Sequence, residues 1–161
     1  MLTTAFSTHG AHVVRMRVTN AYGLSSVATQ TINVAGPTVS LMQPFPVVRI
    51  VGAETASGVR VRVLEVRQMP AGASITLRCK GHGCPIKSAR RVAGSNTGRV
   101  RFRAFKRTLR FGVTVEILVS KAGKIGKYTR FAIRRGKRPE RVDMCLGPAG
   151  VKPLACPLSA A

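Results

Sequence analysis

The sequence predicts an all-β chain, a sandwich of antiparallel strands preceded by a separate hairpin, and three observations carry that expectation. Apolar and polar residues alternate with period two over several stretches, most plainly from Arg99 to Arg135, and such a period marks a strand with one face buried and one wet. The apolar set is 45% of the 161 residues, with no Trp and 5% aromatics, so the core must be mostly Val, Ile and Leu, and the β-branched members favour strands. Gly, Pro and Asn clusters separate the alternating runs at the spacing of a sandwich or barrel.

Val14, Met16 and Val18 alternate with Arg15, Arg17 and Thr19 as a first strand, entered at Gly10. Asn20-Ala-Tyr-Gly23 supplies the turn, because Asn and Gly tolerate the positive φ that hairpins need. Val27, Thr29 and Thr31 begin a second strand running to Val34, its apolar register passing to Ile32 and Val34. The run Phe6-Ser-Thr-His-Gly10-Ala-His-Val-Val14-Arg-Met16-Arg-Val18-Thr-Asn20-Ala-Tyr-Gly23, closing on Thr31-Ile-Asn-Val34, resembles the C-terminal part of a PKD (polycystic kidney disease) domain. That family is an immunoglobulin-like β-sandwich of extracellular and cell-surface proteins. Its upstream Trp-Asp-Phe-Gly-Asp-Gly-like segment has no counterpart here, and two strands cannot enclose a core. Residues 1–35 are therefore expected to be the C-terminal remnant of a PKD-like domain belonging to a longer protein. Ala35-Gly-Pro-Thr38 punctuates the pattern and places a linker at 36–40.

A second domain is expected over 41–136. Pro44 and Pro46 hold its entry extended and bar central pairing until Val47. After Gly58, Val59, Val61 and Val63 alternate with Arg60 and Arg62, and a slip at Val63-Leu64 predicts a bulge or bend. Ile75, Leu77 and Cys79 share one face of the next strand, with Thr76, Arg78 and Lys80 on the other. Lys87 to Gly98 is polar, basic and aperiodic, hence a loop. Three consecutive antiparallel strands should follow. Val100, Phe102 and Ala104 point inward in the first, and Val113, Val115, Ile117 and Val119 in the second, with Thr114, Glu116, Leu118 and Ser120 outward. Past the turn-like Lys121–Gly126, Thr129, Phe131 and Ile133 point inward and Tyr128, Arg130, Ala132 and Arg134 outward. About six strands result, and the expected architecture is an immunoglobulin-like β-sandwich. Residues 137–161 lose the period and read as a charged, then Gly- and Pro-containing tail. The layout from Leu41 to Cys156 is also similar to an uncharacterised C-terminal module of secreted actinobacterial proteins, through Pro44-Phe-Pro-Val-Val-Arg-Ile50 and Ile125-Gly-Lys-Tyr-Thr-Arg-Phe131. That similarity implies export and no known chemistry.

Cys79, Cys84, Cys145 and Cys156 fall into two close pairs, which suggests two disulfides and an oxidising compartment. Zinc competes for the first pair, since Cys79-Lys-Gly-His-Gly-Cys84 holds a His between two thiols. Against it, the spacing exceeds the usual two-residue knuckle and no second His lies nearby.

The chain carries 27 Lys+Arg against 5 Asp+Glu, a formal net charge of +22. Such a field attracts nucleic acid, anionic cell-wall polymers and acidic headgroups alike, and an Arg-, Gly-, Ala- and Val-rich composition can also follow from a GC-rich genome. No stretch reaches the ~20 apolar residues of a membrane helix, and Met1 to Phe6 lacks the pattern of a secretory signal.

The acids Glu54, Glu65, Glu116, Glu140 and Asp143 form no evident catalytic pair, and Glu116 sits among arginines as a surface ion-pair partner. His9 and His12 belong to a strand entry without a partner constellation. Neither a nucleophile motif nor a phosphate-binding Gly loop is present, so no enzyme, cofactor or metal is expected. The candidate polyanion-binding face is Arg99, Arg101, Arg103, Arg130 and Arg134 with Lys124 and Lys127 at the turn, because side chains at alternate strand positions point one way. The expected function is a non-catalytic extracellular or cell-surface module for adhesion, spacing or attachment, whose partner is an anionic envelope polymer or another surface protein. The alternative is a cytoplasmic nucleic-acid-binding or ribosome-associated protein, although Tyr128 is the one outward aromatic available for base stacking.

Overall fold

The computed structural model describes residues 5–35, 39–95, 98–148, 150 and 152–157, and over them the chain is all-β. It separates into two units, Met1–Thr38 and Val39–Ala161. Of the expected linker 36–40, residues 36–38 lie outside the described ones, as do 149, 151 and 158–161 of the expected tail.

In the first unit, β1 (Gly10–Thr19) and β2 (Ser25–Val34) pair antiparallel without a register shift, from Gly10↔Val34 to Thr19↔Ser25. Asn20 builds the turn: its Oδ1 accepts from the backbone N–H of Tyr22 and of Leu24, both at 3.0 Å. Gly23 supplies the left-handed residue at φ 81°. Val14, Met16 and Val18 share one face as expected, and Met16 and Val18 are 56% and 59% exposed. The ring of Phe6 stacks on His12 at 4.3 Å, and His12 Nε2 lies 2.8 Å from the Thr8 carbonyl, which gives this histidine a local structural contact.

The second unit has ten strands among the described residues: β3 (Val47–Thr55), β4 (Gly58–Arg67), β5 (Ser74–Lys80), β6 (Ser88–Val92), β7 (Arg99–Arg101), β8 (Thr108–Arg110), β9 (Thr114–Lys121), β10 (Lys124–Ala132), β11 (Glu140–Leu146) and β12 (Pro153–Leu154). Six make one antiparallel sheet in the order β12-β11-β10-β9-β5-β6; the other runs β3-β4-β7 with β8 also beside β4. The two inner faces bury Val48, Val59, Val61, Leu64 and Val66 against Ile75, Leu77, Val115, Ile117, Val119, Phe131 and Ile133, an apolar core between two layers. The fold is thus a β-sandwich, and β3 starts at Val47 directly after Pro46, where the first free N–H becomes available. The register slips between Val51 and Gly52, opposite Val63 and Val61, so Arg62 is the extra residue of the anticipated bulge.

Five expectations need correction. Ser88–Val92, expected in a loop, is β6, the edge strand paired with β5; Ala89 alone of its five residues packs on the core, so no apolar period marks it. Residues 96 and 97 of that expected loop lie outside the described ones. Arg99–Ala104 is not the neighbour of β9. It forms β7 in the opposite sheet, ends at Arg101 and gives way to a 3-10 turn over Arg103–Phe105, where Phe105 fills the core and Ala104 is exposed. The segment after Arg135 is not all tail, since Glu140–Leu146 is β11, paired along its length with β10. Leu118 and Tyr128 do point away from the core, but Leu146 and Met144 pack on them and both are buried. Lys127, taken as a turn residue, lies inside β10 and shares the inward parity of Thr129 and Phe131.

Candidate anion-binding surface

The outer face of the four-stranded sheet is built from alternate residues of β3, β4 and β7. Cross-strand register sets Arg49 and Arg101 directly opposite Glu65 on either side, and Arg99 opposite Arg67 two residues along. Because positions two apart share a face, four guanidinium groups converge on one carboxylate. Arg67 Nε lies 2.6 Å and Arg101 Nε 3.1 Å from the Glu65 oxygens, with Arg99 at 3.8 Å and Arg49 at 4.0 Å. The Glu65 side chain is fully covered, while those four arginines remain 41–52% exposed. Burial alone would raise the Glu65 pKa. Hydrogen bonds from Arg101 and Arg67 and the charges of Arg67 and Arg99 outweigh it and hold the carboxyl below its ordinary value. Each guanidinium has five N–H donors, and Glu65 engages Nε of Arg67 and of Arg101, so the cluster keeps donors and an excess of three positive charges. Next to it, Arg62, Arg101, Arg103 and Lys106 line a recess of about 470 Å³ with Val63, Leu64 and Phe102.

The structure therefore splits the residues that the sequence grouped. Arg99 and Arg101 belong to this cluster and Arg103 borders it. Lys124, Lys127 and Arg130 stand on β10 in the other sheet, and Arg134 follows its end. Lys124 Nζ donates to Ser40 Oγ at 2.8 Å, and Arg134 pairs with Glu140 at 2.6 Å. Arg130 sits opposite Glu116, which also accepts from the Tyr128 hydroxyl at 3.1 Å and faces Lys80 at 3.6 Å. Lys127, with 15% of its side chain exposed, pairs with Asp143 at 3.1 Å and lies over the Phe45 ring at 5.4 Å. Its charge is thereby engaged by Asp143 and the Phe45 ring. Arg49, Arg67 and Glu65 were missed. The Glu65-x-Arg67 spacing fixes a shared face once a strand is accepted, but Arg49 and Arg101 join it only through strand order.

Asp143 anchors a second polar group on β11, opposite the buried Thr129 in the register. It accepts from Thr129 Oγ1 at 2.7 Å and from Arg141 Nε at 2.6 Å. Burial pushes its pKa up, and the hydrogen bonds from Arg141, Thr129 and Lys127 override this and bring it down to about 2.

The four cysteines form two disulfides, Cys79–Cys84 and Cys145–Cys156. The first pair is thereby a covalent clamp with no thiolate to offer zinc, and the two bonds fit an oxidising environment. Among the described residues, no group of three or more His, Cys, Asp or Glu is placed to hold a metal ion, and no helix is long and apolar enough to cross a membrane. Comparison with family models, with curated proteins and with solved structures gives no match.

Proposed function

We propose that the chain is a non-catalytic module of the cell exterior, serving adhesion, spacing or attachment, in which a basic sandwich follows the C-terminal part of a PKD-like domain. Its four-stranded sheet would hold anionic envelope polymers by multivalent contact. The observation that carries this reading is the convergence of Arg49, Arg67, Arg99 and Arg101 on a single covered carboxylate. Guanidinium groups fixed in a grid match phosphate and carboxylate rows, and several weak contacts along one chain multiply into avidity. The two disulfides support an extracellular setting.

Binding of single-stranded nucleic acid is less well supported, because such readers add exposed aromatic platforms. Beside the cluster Phe102 and Phe105 are buried, and Tyr128, expected outward, is buried under the β11 segment.

Retention on an immobilised polyanion at rising salt tests the proposal. The protein should be held at low ionic strength and released steeply as salt rises. Arg99→Glu with Arg101→Glu should lower the releasing salt concentration, and Arg130→Glu with Arg134→Glu, the same change in net charge made on and just after β10, should lower it less. Equal effects of the two changes would leave only net charge, and the proposed face would be wrong.

A further inference from the structure

A second basic site lies at the place where the Cys79–Cys84 loop from one sheet meets β8 from the other. Gly81 and Gly83 adopt φ of 108° and 104°, a left-handed backbone that side chains rarely take, and so fold Lys80–Gly83 back within the six-residue disulfide ring. Close packing fixes this loop. A Cβ on Gly81 would stand 2.8 Å from the Gly112 carbonyl oxygen, and one on Gly83 would stand 3.3 Å from Cγ and Cδ of Arg110. His82 is thus pinned beside Arg110, whose Nη1 lies 3.4 Å from His82 Nδ1. A guanidinium can only donate, so this contact is a hydrogen bond from Arg110 to the ring. On the other side the β3–β4 turn presents Ser57, whose carbonyl accepts from the N–H of Phe111 at 3.4 Å.

Between these parts is an open recess of about 580 Å³ lined by Ser57, His82, Arg107, Thr108 and Arg110, with Gly83 and Cys84. Two arginines, two hydroxyl-bearing residues and a histidine line it, and among the described residues no Asp or Glu does. This differs from the Glu65 cluster, where a built-in acid offsets the arginines. Like charges gathered in a recess lacking a counter-charge are stabilised by an anion entering it. The donor-bearing residues come from three separate segments, Arg107 with β8, the β3–β4 turn and the disulfide loop. A tetrahedral oxyanion, with acceptors distributed in space, satisfies them better than a planar carboxylate.

We infer that this recess is a discrete binding site for one tetrahedral oxyanion group, a phosphate or sulfate and by extension the end of a phosphate or sulfate ester, held by Arg107, Arg110 and the disulfide-clamped His82. It shares no residue with the arginine cluster around Glu65 or with the recess beside that cluster, and it stands or falls separately from them.

Calorimetric titration of the full chain with inorganic phosphate to about 10 mM, with sulfate and acetate in parallel, tests the inference. Phosphate or sulfate should bind saturably at one site per chain, and acetate at least tenfold more weakly. Arg107→Met and Arg110→Met should each weaken binding about 10- to 100-fold, the loss of a charge-assisted hydrogen bond. His82→Gln should weaken it less, and joint Arg49→Met and Arg67→Met should leave it unchanged. Should Arg110→Met not fold, as judged by circular dichroism, Arg107→Met and Ser57→Ala still decide. Cys79→Ser with Cys84→Ser, which frees the loop, should also weaken phosphate binding. No saturable binding, acetate binding equal to phosphate, or unchanged affinity in Arg107→Met would each overturn the assignment.

Discussion

Replacing Asp143 with Asn removes one charge from the group around Thr129 and leaves an oxygen to accept the Thr129 hydroxyl. The carboxyl ionises at about 2 in the folded chain against an ordinary 3.8. At ~1.36 kcal/mol per tenfold in acidity, that drop sets a ceiling of ~2.4 kcal/mol on its linked stabilisation. The Asp143 side chain is 34% exposed, so solvent screening reduces the expected contribution to about 1 kcal/mol. The sign follows from the lowered value. The stabilisation is full above the unfolded carboxyl's pKa near 4, fades as pH falls through that range and is gone below about 2. Urea unfolding of both proteins, followed by far-UV circular dichroism because the chain has no Trp, should show the variant about 1 kcal/mol less stable at pH 6. The gap should close as pH approaches 2. A gap that stays constant or widens toward pH 2 would refute the linkage argument and leave Asp143 a packing residue only.

Three further outcomes are expected. Glu65→Gln leaves four guanidinium groups around a neutral amide, so melting temperature should fall at low salt and recover with added salt more than in the parent protein; parallel salt curves would contradict that. Gly126→Ala drives a Cβ into the Val119 carbonyl oxygen on the adjoining strand, and overpacking of this kind should cost about 1–3 kcal/mol in urea unfolding. Removing the Cys145–Cys156 bond as a double Ser variant opens a loop with sequence separation 11. Chain entropy puts the loss at about 3 kcal/mol, and hydrogen exchange at Leu118 and Tyr128 should rise as Leu146 loosens over them.

The legible part of the fold was the part where one face meets an apolar layer. Val113, Val115, Ile117, Val119, Phe131 and Ile133 alternate because the core demands it, and all are buried. β6 was illegible because Ser88-Ala-Arg-Arg-Val92 lies at a sheet edge and is mostly exposed. β11 was hidden for the opposite reason. Its positions opposite the buried Phe131 and Thr129 carry Arg141 and Asp143, so charge appears where an apolar residue was sought. The candidate surface was half legible. Arg99 and Arg101 were on it, but adjacency in sequence suggested a shared sheet with β9 and β10, whereas the chain crosses to the other layer before Thr114. Glu65 reads as an ordinary strand acid until strand order puts an arginine on each side.

The edges of the six-stranded sheet give its basic composition a second consequence. One edge is β6, with Arg90 and Arg91 in its middle, and the other is β12, two residues long and starting at Pro153, which has no N–H to offer. An incoming strand would meet clustered like charge on one side and a missing donor on the other. Both features oppose edge-to-edge growth. Part of the positive charge therefore serves to end the sheet at its sixth strand, whatever the arginines elsewhere hold.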